Sequence, residues 1–431
     1  MKYASYWHQT LGDAPTAEHI ANGQDVPATC DVAIVGAGLT GLSAARALAK
    51  RGVRATVLEA QEVGWGASSR NGGMVLTGLK VGAHELVERF GMEIARKLDA
   101  ASLAAIDFVE RLIEEEHIDC DFSRSGHIAL ASKPGHYAQF ERDAELINGS
   151  FDRSVKLVPQ QSLASEVGSG AYFGGLVDEA SAGVNPAKLV LGVARAAVNA
   201  GALVCVHNPV LAIDRKNGKF HIRAGSSMLS AEHVVIATGA YTGPESQWLR
   251  RRIVPIGSYV IATEALPDQL ARAVAPAKRM MFDSKHFLHY YRLTSDQRVL
   301  FGGRASFVPE SSSATEQSAE VLRADMIALF PQLSDVKIDY AWGGTIDFTA
   351  DMLPHAGEIA GTYYAAGYAG HGVALATLLG SQIGAQVAGD TYVDSPFMRS
   401  TFPVPALGIH RMVPGLVSAA GAWYRLLDMV S

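Results

Sequence analysis

The chain has 431 residues, room for two domains at roughly 100 to 200 residues each, with 37 Lys and Arg against 43 Asp and Glu and a formal charge of −6. Charge of both signs is scattered without a polybasic run, so the electrostatic footprint of a nucleic-acid binder is missing, and 48% apolar with 19% charged residues excludes a disordered chain. The 43 glycines, against a usual share of about 7%, imply many tight turns or close backbone approaches to a ligand.

Met1 to Ala21 carries Lys2, His8, Asp13 and Glu18 and lacks the apolar stretch of a secretory signal. Cys30-Asp31-Val32-Ala33-Ile34-Val35 is apolar and β-branched and stops at Gly36, which predicts a buried strand. Leu39 to Lys50 has apolar residues at helical spacing and closes on Arg51-Gly52, and Arg54 to Leu58 is a second strand ending at Glu59. The first structured segment is therefore β-α-β. Glu93 to Glu116 is an amphipathic helix, Gly126 to Ala131 a strand, and Asn185-Pro186 an N-cap and first helical position of a helix running to about Asn199. Leu203 to Val206, Leu211 to Ile213 and Phe220 to Ile222 are short strands around a turn at Lys216-Asn217-Gly218, and Val234 to Ala237 is another buried strand.

Between Ile253 and Phe307 the pattern becomes extended and alternating, with strands expected at Tyr259 to Thr263, Phe287 to Leu293 and Val299 to Gly303, as in an inserted antiparallel sheet. A helix from about Glu316 to Phe330 follows, with Thr315 as its N-cap, then a strand at Tyr363 to Ala366 and a helix from His371 to Ala388. Pro396, Pro403, Pro405 and Pro414 suggest a tail wrapped on the surface. Val373 to Gly380, the longest weakly polar stretch, is far short of the 20 or so residues of a membrane span. Cys30, Cys120 and Cys205 are too widely spaced for a CxxC metal site or a disulfide framework. These features suit a cytoplasmic protein with no membrane span.

Gly36-Ala37-Gly38-Leu39-Thr40-Gly41 sits between a strand and a helix, the context that gives a GxGxxG match its meaning. Gly36 permits the tight turn, Gly38 the approach of a pyrophosphate and Gly41 close helix packing, while the helix dipole favours phosphate charge. Glu59 ends the second strand, where a carboxylate accepts from ribose hydroxyls and disfavours a 2′-phosphate. The fingerprint suits NAD as well as FAD. The next segment, Gly64-Trp65-Gly66-Ala67-Ser68-Ser69-Arg70-Asn71-Gly72-Gly73, has small or polar side chains able to lie against a phosphate and a flat ring.

Together with Ala237-Thr238-Gly239, Gly367-Tyr368-Ala369-Gly370-His371-Gly372-Val373 and the early Ser5-Tyr6-Trp7, these motifs resemble the FAD-dependent D-amino-acid-oxidase superfamily, within it the gamma-glutamylputrescine oxidoreductase-like branch of amine oxidases. The resemblance covers nearly the whole chain. It implies an α/β plus α+β architecture, with a Rossmann-like FAD-binding domain (1–85, 150–245 and 335–431) and an inserted antiparallel-sheet substrate domain (86–149 and 246–334). Carried over by motif, Gly36, Gly38, Thr40 and Gly41 would meet the pyrophosphate and Glu59 the ribose. Ser69, Arg70, Asn71 and Gly72 would line the middle of the cofactor and its ring, Val210 would offer its backbone to adenine, and Gly239, at the end of its strand, would also meet the cofactor. Gly370, His371 and Gly372 open the last helix, whose positive end suits the charge that reduced flavin carries. With no cysteine after Cys205, the tether some relatives use is missing, and non-covalent FAD is expected.

On the substrate side, strand alternation sets Phe287, His289 and Tyr291 on one face and Leu288, Tyr290 and Arg292 on the other, with the flavin-facing set undecided. Tyr291, Arg292 and His371 are the catalytic candidates, Arg292 suited to a bidentate grip on a carboxylate, and Tyr259 and Trp342 are candidate aromatic walls. Relatives that place an oxygen-activating lysine on the strand resembling Val299 to Gly303 differ here, which sets another electron acceptor beside oxygen. No metal site is read, since His286 and His289 would point to opposite faces of a strand. The expected function is oxidation of a small amine or amino compound; a D-amino-acid or glycine-type oxidase and a non-catalytic flavin sensor are the alternatives.

Overall fold

Thr29–Val35 is a strand because both its faces are covered, and its apolar side chains from Val32 to Val35 are almost wholly buried. At its end Gly36 adopts φ +104°, where an added Cβ would lie 2.8 Å from the Ala237 carbonyl oxygen. Helix Leu39–Ala49 starts directly after this turn, and Gly41 lets it settle there: a Cβ at Gly41 would lie 2.0 Å from the Gly36 carbonyl. The computed structural model describes residues 1–12, 25–285, 287–306, 312–390, 395–398 and 402–405.

Thr29–Val35 is the centre of a parallel sheet, paired on one side with Ala55–Leu58 and then Leu203–Cys205, and on the other with Ser227–Ile236 and then Thr362–Ala366. His355–Ile359 closes one edge antiparallel, and Val210–Lys216 with Lys219–Ala224 forms a meander onto Ser227–Ile236. The tight turn of that meander has Asn217 and Gly218 at positive φ. Helices Leu39–Ala49, Pro186–Asn199 and Gly372–Val387 pack on one face of the sheet in a single apolar cluster with Met92–Glu115. Asn185 caps its helix as expected, its side chain accepting from the Lys188 N–H.

The second sheet runs Ile338–Phe348, Val254–Thr263, Val299–Ser306, Tyr290–Leu293, Met280–Asp283, His127–Leu130, Gly174–Asp178, Lys156–Pro159. It is antiparallel except where Met280–Asp283 meets His127–Leu130. Lys156–Pro159, Gly174–Asp178 and Ile338–Phe348 therefore belong with the substrate sheet, and boundaries at 150 and 335 cut through it. Sequence periodicity finds strands one at a time, whereas sheet membership is set by pairing across long separations. The expected strand from Phe287 begins only at Tyr290, and Thr315 is no cap, because helix Ser312–Leu329 already contains it. His286 and Pro414 lie outside the described residues. Of the proline-bearing stretch, Phe397 and Phe402 are buried, the latter stacked 4.2 Å from the His355 ring.

His289 fastens the second sheet to helix Ser312–Leu329. Its Nδ1 lies 3.2 Å from Asp283 and its Nε2 3.1 Å from Asp325. Burial disfavours the imidazolium, but the two carboxylates outweigh it and raise the pKa to about 9. A histidine whose folded pKa is raised contributes stability that is complete below its unfolded pKa, near 6.5, and is lost as pH rises through 9. His289→Gln is expected to remove up to roughly 3 kcal/mol at pH 6 and to leave a flatter loss of stability between pH 7 and 9.5. Urea unfolding of both proteins across that range checks it; parallel curves would mean that the bridge carries no net charge interaction.

Candidate active site

A cavity of about 730 Å³, well into the range of cofactor and small-molecule sites, runs from the first strand–turn–helix to the second sheet. At one end it is lined by Gly36, Gly38, Thr40, Glu59, Val210 and Gly239. Glu59 accepts from the Ala37 N–H at 2.7 Å and the Gln61 N–H at 2.9 Å, which keeps lone pairs available for further donors. Thr40 Oγ1 lies 2.7 Å from the Tyr368 hydroxyl, tying the turn to the strand end that precedes Gly370. Gly41 is not in the lining, consistent with its packing position.

Ala67–Arg70, Asn71 and Gly72 form the middle of the cavity, and here the sequence assignment shifts by one residue. Ser69 is buried, donates to the Gly64 carbonyl at 2.7 Å and lies 2.8 Å from His8 Nε2, so it faces away; Ser68 lines the cavity and accepts from the Leu39 N–H at 3.0 Å. Helical geometry separates adjacent residues by about 100°, so only one of the two serines can face in. Arg70 lies over the Trp65 ring at 4.4 Å. Asn71 closes its own turn, its side chain accepting from Gly73 N–H and donating to the Ala67 carbonyl.

The substrate-side candidates on Tyr290–Leu293 need correction. Tyr291 points into the core of the second sheet, stacked on Phe301 and donating to the Tyr172 hydroxyl at 2.7 Å. Arg292 is buried away from the cavity and donates to the carbonyls of Gly73 at 2.6 Å, Val184 at 3.1 Å and Leu293 at 3.2 Å. Desolvation lowers its pKa to about 10, with Asp121 opposing. Tyr290 and Leu288 line the cavity instead; the Tyr290 hydroxyl lies 3.2 Å from Ser258 Oγ, and its ring covers Gly72, where a Cβ would meet it at 2.9 Å. Alternation did not separate the sets: Phe287 lines the cavity together with Leu288 and Tyr290 while Arg292 does not, because the strand that would alternate begins only at Tyr290. Tyr259 and Trp342 are core aromatics rather than walls.

His371 does line the cavity, at the N-cap of helix Gly372–Val387, and its buried Nδ1 has no hydrogen-bond partner. Burial, with Lys80 and His127 nearby, lowers its pKa to about 4. His127, Lys80, Thr77 and Asp178 complete this end and were not found from sequence, because no motif links them. His127 is also lowered to about 4 by burial; its Nδ1 lies 2.8 Å from Ser181 Oγ and its ring stacks on Phe282. Cys30, Cys120 and Cys205 are buried elsewhere, and burial pushes each thiol up. Among the described residues, no helix is long and apolar enough to cross a membrane.

A parallel sheet with a glycine-rich turn, an acid at the next strand end and a second sheet over the same cavity define a dinucleotide-dependent oxidoreductase fold. The profile of the family described as FAD dependent oxidoreductase matches residues 31–386, and the chain belongs to that family. It is 35% identical over 405 residues to the probable oxidoreductase OrdL of Haemophilus influenzae, covering 92% of each chain. It is 32% identical to gamma-glutamylputrescine oxidoreductase of Escherichia coli over 403 residues, 93% of each. Among solved structures, glycine oxidase from Geobacillus kaustophilus superposes with a TM-score of 0.73 at 22% identity, over 88% of this chain and 100% of that one. The chain is accordingly an FAD-dependent enzyme.

The residues present fit that cofactor: a helix start whose cap residue, Gly38, has no side chain to cover it, an acid with spare lone pairs and an unpartnered histidine nitrogen all border one cavity. Glu59→Ala is expected to weaken FAD binding by about 1.5 to 3 kcal/mol, and Gly38→Val to abolish it, both read by flavin fluorescence quenching on reconstitution. Arg292→Ala is expected to leave buried carbonyls unsatisfied at a cost of about 2 to 4 kcal/mol, seen as a lower thermal midpoint. Its effect on acidic and neutral donors should be equal; a selective loss of acidic donors would return Arg292 to the substrate.

Proposed function

We propose that the protein oxidises the C–N bond of a small primary or secondary amine, or of an N-substituted amino compound, with FAD held non-covalently. The observation that carries this is the single cavity joining the glycine-rich turn to the inner face of the second sheet. The relatedness to gamma-glutamylputrescine oxidoreductase supports the donor class. When bound, FAD would supply a two-electron acceptor for the hydride on the carbon next to nitrogen, leaving an imine that water would hydrolyse to a carbonyl compound and an amine.

The chain supplies binding and an environment. Gly36, Gly38 and Thr40 would receive the pyrophosphate at the start of helix Leu39–Ala49, Glu59 the ribose hydroxyls and Val210 the adenine, with Gly239 beside them. Ser68, Arg70, Asn71 and Gly72 would flank the middle of the cofactor, and Gly370, His371 and Gly372 would set the N-terminal end of the last helix against the pyrimidine edge. His127 and His371 stay neutral at pH 7, so the dipole of that helix acts there without added imidazolium charge. Tyr290, Leu288 and Phe282 give the donor an apolar floor that favours an uncharged amine.

Electrons leave to an acceptor other than oxygen in this reading, because Val299 to Gly303 carries no lysine. We place the enzyme in the cytoplasm on the strength of its three free, buried thiols.

Mixing with a suitable amine without oxygen should bleach the visible flavin band in one two-electron step. The rate should rise with pH, with a midpoint that follows the donor's own pKa, and deuterium on the reacting carbon should slow it. Acid precipitation should release intact FAD, and a quinone or dye should reoxidise the enzyme faster than oxygen does. A panel of amines and amino acids that leaves the band untouched would sink the catalytic reading.

A further inference from the structure

Residues 77–82 run along the cavity wall on a backbone fixed from both sides. The Thr77 N–H donates to Ser181 Oγ at 3.0 Å and its hydroxyl to Asp178 at 2.7 Å, while the Gly78 N–H donates to Ser102 Oγ at 2.8 Å. Leu79 and Val81 are buried, and Lys80 between them is exposed to the cavity.

Among the described residues, every other charged side chain in the lining already has a partner. Asp99 and Asp178 share Arg153, with Asp178 also accepting from Thr77 and the Ala180 N–H. Asp143 accepts from Gln139, Glu245 from the Gly243 N–H and Asp347 from the Gly367 N–H. Glu59 holds two backbone N–H groups and Arg70 lies over Trp65. Among the described residues Lys80 makes neither a hydrogen bond nor an ion pair. Its enclosure lowers the ammonium pKa, a penalty that an anion in the cavity would reverse. Among the described residues no carboxylate acts on it, burial being the one cause that shifts its pKa, and the neighbouring His371 and His127 are neutral bases.

With Arg292 turned away from the cavity, we propose that Lys80 is the anion-binding group of the donor site and that the donors are amines carrying a carboxylate. The assignment rests on the amine reading above for its chemistry, but its geometry does not. Leu79 and Val81 hold the strand of backbone that presents the ammonium, so the cation is positioned before any ligand arrives. Lysine suits this place as a compact point charge on a flexible stem, able to meet carboxylates at somewhat different depths.

The test uses the oxidised holoenzyme and no turnover. Acetate, butyrate and hexanoate, each paired with its neutral amide, are titrated against the flavin absorbance spectrum of wild type, Lys80→Met, Lys80→Gln and Lys80→Arg, with FAD content and thermal midpoint checked first. At least one carboxylate is expected to perturb the wild-type flavin, to bind at least about tenfold more weakly to the Met and Gln variants, and to stay within about threefold in the Arg variant. The amides should bind all four alike. The assignment is overturned if no carboxylate shifts the wild-type spectrum, if the Met and Gln variants bind carboxylates as wild type does, or if they lose carboxylate and amide equally. Loss of FAD from both variants would also overturn it, placing Lys80 at the cofactor. Because no donor is oxidised, failure of the amine screen and failure of this titration are separate results.

Discussion

Three buried side-chain donors grip three carbonyls of one short loop, and the site depends on that grip. Trp342 Nε1 donates to the Arg70 carbonyl at 2.8 Å, Trp7 Nε1 to that of Asn71 at 2.8 Å and Arg292 to that of Gly73 at 2.6 Å. Each donor comes from a different element: the edge strand Ile338–Phe348, the short helix Tyr6–Gln9 and the strand Tyr290–Leu293. A buried carbonyl left unpaired costs about 1 to 3 kcal/mol, so a glycine-rich loop that would otherwise wander has one conformation. That loop is the seam between the two sheets. The N-terminal segment belongs to the same device, because Lys2 pairs with the strand at Tyr340 and Tyr6 and Trp7 pack with Val260, Leu300 and Trp342.

How far sequence reaches follows from the range of the interactions. The strand–turn–helix at Thr29–Ala49 and the capped helix at Pro186 are decided by neighbours a few residues apart, so local pattern identifies them. Gly36, Gly38, Thr40 and Glu59 are legible for the same reason: the chemistry needs those residue types at a fixed spacing in one unit. The Lys156–Pro159 and Gly174–Asp178 strands are decided by partners far along the chain; periodicity reads no strand there, and the domain bounds implied by the resemblance place the region with the other sheet. Arg292 shows the harder limit. A buried arginine is drawn to substrate anions and to stacked carbonyls by the same hydrogen-bonding fork, and only the position of Gly73 and Val184 separates the two.

Charge in the cavity is arranged so that little of it is uncommitted. Two histidines are held neutral by burial, the acids are paired or capped by backbone N–H groups, and the helix Gly372–Val387 contributes its dipole rather than a formal charge. In such surroundings an isolated charge acts over a longer range than it would in water. One ammonium can therefore orient a donor without a cluster of cations that would also attract phosphate or bulk anions.

The separation of roles between the sheets follows from these restraints. The parallel sheet offers backbone, a helix terminus and one acid, all indifferent to what is oxidised. The second sheet and the segment 77–82 offer side chains, Tyr290, His127 and Lys80, on frames fixed by their own hydrogen bonds and buried neighbours. Of these, His127 and Lys80 stand apart from the loop gripped by Trp7, Trp342 and Arg292, whereas the Tyr290 ring also covers Gly72 within it. The family fold can stay constant while substrates change, because a fold does not by itself fix what its site binds.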